Sequence, residues 1–170
     1  ATPERADRSP LGDVFDRMVV VATVRELTDG GFLVPCEVWA PPQSKTKLAA
    51  DAADAYLEHG NGKRAIIFCA NVTHAKETAA DLHAAGVAAE YVDGTMPTRD
   101  RDAALARFAS GETQVITNCS LISEGFDVPA CKCVVIARGC DSVAMYLQAV
   151  GRALRPESSG ESALVIDLRG

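Results

Sequence analysis

The strongest constraint on the fold is a regular alternation of short apolar runs with longer segments of helical periodicity. Two runs, Ile66-Ile67-Phe68 and Val134-Val135-Ile136, are apolar at every position. A strand apolar on both faces belongs inside a parallel sheet covered on both sides. The pattern predicts strands at 33–40, 65–69, 88–92, 115–118, 133–137 and 163–167. It predicts helices at 45–58, 73–85, 99–109 and 143–154, with shorter ones at 13–18 and 24–28. Such alternation specifies an α/β fold: a parallel β-sheet of about six strands with helices on both faces. At 170 residues the chain suits one domain. Residues 1–42 are expected to form an extension or bridge with the first strand, leading into 43–170.

Chemistry concentrates first in Gln148-Ala149-Val150-Gly151-Arg152-Ala153-Leu154-Arg155-Pro156. On a continuous helix, positions 148, 152 and 155 fall on one stripe, which presents an amide and two guanidiniums together. Two arginines one turn apart make a permanently charged fork suited to a phosphate carrying several negative charges. Gly151 in a helix interior costs about 1 kcal/mol relative to alanine, so something is expected to approach the backbone there. Taken alone, the same stripe also fits a solvated helix face.

A second segment, residues 113–129, opens with a β-type run and breaks into small polar residues. It closes on Glu124-Gly125-Phe126-Asp127 before Pro129. Loops leaving the carboxyl ends of strands are where open α/β sheets bind ligands. Thr117, Asn118 and Ser120 offer donors suited to sugar–phosphate oxygens. Asp127 suits a ribose hydroxyl or an attacking water; the alternatives are a turn glycine at 125 and a local cap at 127.

These segments, in order, resemble the second RecA-like lobe of superfamily 2 helicases. Ile66-Ile67-Phe68-Cys69-Ala70-Asn71 looks like motif IV. Tyr91-Val92-Asp93-Gly94-Thr95-Met96-Pro97 with Arg99 and Arg101 looks like motif IVa. Residues 116–120 with 124–129 resemble motif V, and Gln148 to Arg155 matches the Q-x-x-G-R-x-x-R form of motif VI. The resemblance covers residues 63–167. Its wording leans towards the DNA-translocating members (the XPB, restriction-subunit and phage kind) and away from the RNA-directed DEAD-box set.

The resemblance implies a half-engine, with ATP and Mg2+ bound mainly by an N-terminal RecA-like lobe of the same parent chain. Arg152 and Arg155 would reach the γ-phosphate, and Gln148 would position it or the attacking water. Gly125 and Asp127 would join them at the nucleotide. Asn71, Gly94, Thr95, Arg99, Thr117, Asn118 and Ser120 would hold one nucleic-acid strand, DNA in preference to RNA. A rival reading is a non-catalytic helicase-like module that docks nucleic acid or protein. The phosphate-cradling Gly-x-x-x-x-Gly-Lys-Ser/Thr loop has only a poor echo in Gly60-Asn61-Gly62-Lys63-Arg64. That segment precedes a strand, and Arg64 stands where Ser or Thr should bind magnesium; it is read as a helix-to-strand turn. Val165-Ile166-Asp167 lacks the following Glu of a magnesium-site pair.

A net charge of −6 argues against a nucleic-acid footprint over the whole surface, so only a local cluster is expected. Its candidates are Lys63, Arg64, Lys76, Arg99, Arg101 and Arg107. No apolar run is long enough to span a bilayer and no leader is visible, so a cytoplasmic or nucleoid-associated, non-secreted protein is expected. The six cysteines sit mostly in apolar contexts and read as reduced, buried thiols. Cys131 and Cys133 are expected on one strand face, and no metal site is expected.

Overall fold

The computed structural model describes residues 12, 15–17, 19–41, 52–119, 131–139, 143–156 and 160–169. Six parallel strands form one sheet: β1 (Cys36–Trp39), β2 (Ala65–Cys69), β3 (Ala89–Val92), β4 (Val115–Asn118), β5 (Cys133–Ala137) and β6 (Ala163–Asp167). Their spatial order is β1-β6-β5-β2-β4-β3. The register pairs Ile66 with Ile116 on one side and with Val134 on the other. β1 pairs with β6, so the first strand belongs to the same sheet as the rest.

Five helices are described: α1 (Val24–Asp29), α2 (Ala52–His59), α3 (Val72–Ala84), α4 (Thr98–Ser110) and α5 (Val143–Ala153). Period-two alternation in the central strands feeds two separate cores. Ile66, Phe68, Ile116, Val134 and Ile136 pack with Ala104 and Phe108 of α4 and Ala149 and Ala153 of α5. Ala65, Ile67, Val115, Cys133 and Val135 pack on the other face with Ala52 and Tyr56 of α2 and Ala75 and Leu82 of α3. The expected layered architecture is therefore present. None of the described helices is long and apolar enough to cross a membrane.

Local rules explain the element ends. Thr23 and Glu26 form a reciprocal capping box at the start of α1. The 60–63 segment is a turn between α2 and β2, with Asn61 at φ 50° and Gly62 at φ 70°. Tyr56 donates to the Lys63 carbonyl, and Gln114 bonds both Tyr56 and the Gly62 carbonyl, which locks that turn.

Several expectations are corrected. Residues 15–17 are not helical, while 13, 14 and 18 lie outside the described residues. The strand expected at 33–40 shrinks to Cys36–Trp39, because the Leu33 and Val34 amides bond Leu27 and Leu154 carbonyls instead of a ladder. Of the helix expected at 45–58, only Ala52–His59 is described. Cys131 and Cys133 lie on opposite faces of the sheet, one in each core. Cys131 precedes β5, where strand alternation does not yet apply.

Glu90 of β3 ties α4 to the turn before β4 by accepting from Arg107 Nε at 2.9 Å and from the Thr113 hydroxyl. Hydrogen bonds from Arg107, aided by Thr113 and opposed by partial burial, hold this carboxyl below its ordinary range. A carboxylate held low in the folded state stabilises above its ordinary pKa and loses that contribution as pH falls through the lowered value. The melting temperature is therefore expected to fall on acidification below about pH 4.5, and Glu90→Gln to flatten that fall. In the core, Phe108→Ala should cost about 3–5 kcal/mol in urea unfolding, since Phe108 is fully buried.

Candidate functional site

Parallel strands begin at one edge of the sheet and end at the other, so the loops sort into two sets. The carboxyl ends of β2, β4 and β3 are adjacent. That adjacency brings Asn71, Asn118 and the Gly94–Thr95 turn to one edge, although β3 precedes β4 in the chain. Asn71 is the N-cap of α3, its Oδ1 accepting from the His74 amide at 2.8 Å. Gly94, Thr95 and Arg99 are exposed. Pro97 starts α4 without a side-chain cap, so the first amides of that helix face the same edge. Lys76 lies 5.0 Å above the Tyr91 ring beside this edge.

Asp93, only 3 % exposed, organises the turn after β3. One carboxylate oxygen accepts from the Thr95 amide at 2.7 Å, the Thr95 hydroxyl at 2.6 Å and the Met96 amide at 3.2 Å. Hydrogen bonding from Thr95 keeps the Asp93 carboxyl below its usual range. The residue type could have signalled this, since Asp two positions before a hydroxyl residue favours such a turn.

Thr117 and Asn118 do not present their side chains. Both are fully buried. The Thr117 hydroxyl donates to the Ala75 carbonyl at 2.7 Å, and the Asn118 amide donates to the Ile67 carbonyl at 3.1 Å. These bonds fasten β4 to α3 and β2. Asn118 Oδ1 is buried with no hydrogen-bond partner among the described residues. Ser120, Gly125 and Asp127 lie outside the described residues.

The arginines lie at the opposite edge. α5 runs back from the carboxyl end of β5, and the turn that follows it is fixed at the amino edge by two bonds. The Val34 amide donates to the Leu154 carbonyl at 2.9 Å, and Lys132 Nζ donates to the Arg155 carbonyl at 2.6 Å. The helix ends at Ala153, so Arg155 lies beyond it. The expected single stripe is split by burial. Gln148 is exposed and Arg155 half-buried, whereas Arg152 is only 9 % exposed. Burial pulls the Arg152 pKa below its usual value, against the influence of Cys131. Cys131 itself is a fully buried thiol pushed up to about 12 by desolvation. Gly151 has no atom within 4 Å of where a Cβ would sit, so the approach expected there is not made by the described residues.

The expected basic cluster is dispersed. Lys63 pairs with Glu161 at 2.5 Å and Arg107 pairs with Glu90. Arg64 bonds the Ala109 carbonyl, and Arg101 lies 3.9 Å from Asp102. Lys76 and Arg99 remain beside the carboxyl edge. Among the described residues, no group of three or more His, Cys, Asp and Glu is placed to hold a metal. The residue that sequence reasoning missed is Lys132, whose signal was a lone cation between two cysteines in an apolar run.

Comparison with known proteins agrees with this fold. The profile of the helicase conserved C-terminal domain matches residues 48–157. A 51.5 kDa protein of Lactococcus phage (isolate 7-9) is 29 % identical over 188 residues, covering 98 % of this chain and 41 % of its own length. A Saccharomyces cerevisiae protein bearing the name ATP-dependent helicase IRC3 is 26 % identical, over 100 % of this chain and 28 % of its own. The chain thus spans less than half the length of either relative. Among solved structures, a fragment described as the HsdR subunit of a type I restriction enzyme from Vibrio vulnificus YJ016 superposes with a TM-score of 0.79. That pair is 25 % identical, covering 98 % of this chain and 38 % of the other. A family profile spanning well over half the chain, on a six-stranded parallel sheet ordered as described, settles the assignment: the chain belongs to the helicase conserved C-terminal domain family.

Proposed function

We propose that this chain is the second lobe of an ATP-dependent motor that moves along or unwinds nucleic acid, with DNA as the favoured strand. The observation that carries the reading is the division of the predicted residues between the two edges of one sheet. The amino edge gathers Arg152 and Arg155 at the end of α5. The carboxyl edge gathers Asn71, Gly94, Thr95 and Arg99 with the open start of α4. One rigid sheet joining an arginine-bearing edge to a strand-contacting edge suits a device that couples nucleotide state to grip.

In this reading Arg155 is the principal donor to the γ-phosphate. Arg152, largely buried, reinforces the positive field behind it. Exposed Gln148 orients the phosphate or the attacking water, and the open space beside Gly151 admits the preceding lobe. The donor set here is cationic and amidic, which fits ATP phosphates; Mg2+ falls to the preceding lobe. Gly125 and Asp127 are proposed for the nucleotide and Ser120 for the strand. Strand contact near β4 is proposed through its loop backbone, because the Thr117 and Asn118 side chains are occupied within the fold. Arg99, Lys76 and the α4 amides would meet phosphate oxygens, as helix N-termini commonly do.

A non-catalytic module that docks nucleic acid or protein is the second reading; the net charge of −6 weighs against nucleic-acid contact over the whole surface. Arg155→Ala in the full-length parent separates the two. Nucleic-acid-stimulated ATP turnover is expected to fall by about 10³–10⁵ while nucleic-acid affinity stays largely intact. Turnover equal to wild type would sink the motor reading. A second expectation concerns the chain by itself: it should release no phosphate from ATP above a buffer blank, with or without DNA. Turnover that survives repurification would contradict it.

A further inference from the structure

We propose that Lys132 is a positioning residue for Arg155, an inference that rests on the proposed role of Arg155 at the γ-phosphate. Lys132 lies just before β5 and is 1 % exposed. Its ammonium donates at 2.6 Å to the backbone carbonyl of Arg155, 23 residues away. Among the described residues it has no carboxylate partner and no other acceptor. A buried ammonium is costly to desolvate, and one neutral carbonyl offsets only part of that cost. An apolar side chain would fill the same volume without it. Stability alone therefore does not account for a lysine here.

What the ammonium does is geometric. The last carbonyls of an α-helix have no partner within the helix and leave its end free to fray. Just past that end, two consecutive carbonyls are captured from outside the helix: Leu154 by the Val34 amide at 2.9 Å and Arg155 by Lys132. Lys132 is itself fixed, its amide donating to the Arg64 carbonyl and its carbonyl accepting from Leu164. The bond therefore references the Arg155 backbone directly to the central sheet. It sets where the arginine side chain departs from the turn. Placement at this precision matters, since a displacement of about 1 Å can cost roughly 10² in rate. The cation is also favoured where it stands, because the carboxyl end of α5 carries negative partial charge.

The test compares Lys132→Met, Lys132→Arg, Arg155→Ala and the double variant K132M/R155A, all in the full-length parent. Lys132→Met is expected to lower kcat by about 10–100-fold, with KM for ATP and DNA affinity within about twofold of wild type. Lys132→Arg, which keeps a buried donor, should recover most of that loss. Affinity for ADP–aluminium fluoride should weaken in Lys132→Met and in Arg155→Ala, and the double variant should be no weaker than Arg155→Ala alone. Should Lys132→Met fail to fold, Lys132→Gln, with a shorter reach and no charge, is read in the same way. Wild-type kcat in the neutral variant, or losses that simply add to those of Arg155→Ala, would overturn the positioning role. Wild-type turnover in Arg155→Ala would instead overturn the function on which it rests.

Discussion

Burial of the central strands on both faces is the constraint from which the rest of the molecule follows. β2 and β5 are buried at every position and feed alternate residues into two separate cores. A sheet that must be covered on both sides requires helical crossovers, and helical crossovers make its strands parallel. Parallel strands in turn force every strand to start at one edge and finish at the other. The two functional edges are thus consequences of core packing, before any functional residue is considered.

That geometry also sorts the electrostatics. Helices that follow strands start at the carboxyl edge, so α3 and α4 turn their positive ends towards it. α5 returns with its negative end at the amino edge, where Lys132, Arg152 and Arg155 gather. Three cations in one region repel each other, and the dipole of α5 with its carbonyls offsets part of that repulsion. The arrangement tolerates a concentration of positive charge that an isolated loop would not. It leaves Arg155 as the member least enclosed by the core.

Much of this was legible in the sequence. Strands at 65–69, 115–118, 133–137 and 163–167 agree with expectation to the residue, because each is a short run rich in β-branched and apolar residues between polar turns. The sheet order was not legible. It depends on pairings between segments such as β2 and β5, far apart in the chain, which periodicity does not encode. The single stripe of Gln148, Arg152 and Arg155 failed for a related reason. Helical spacing gives angular position but not what packs against it, and the sheet beneath α5 drew Arg152 inward. Thr117 and Asn118 looked like strand-contacting donors because their residue types suit phosphate. Their occupation by the Ala75 and Ile67 carbonyls became visible only with α3 and β2 in place. Lys132 went unnoticed because its partner is a backbone carbonyl, an atom every residue carries and no sequence pattern marks.

The acidic balance of the chain also gains a physical account. A lobe with net charge −6 would repel a polyanion if its charges were spread evenly. They are not. Glu90 and Glu161 are engaged by Arg107 and Lys63, and Asp93 is turned inward to hold its own turn. Glu90, Glu161 and their partners lie towards the amino edge, away from the carboxyl edge, and hydrogen bonding favours the ionised form of Asp93 beneath its turn. Screening in physiological salt limits the field felt at the carboxyl edge to about 8 Å, so distant acids on the outer helix faces contribute little. What a strand passing this edge meets is the α4 amides, Arg99 and Lys76, with the exposed Asp100 in the same first turn. Net charge describes the whole surface, whereas contact is decided within one Debye length.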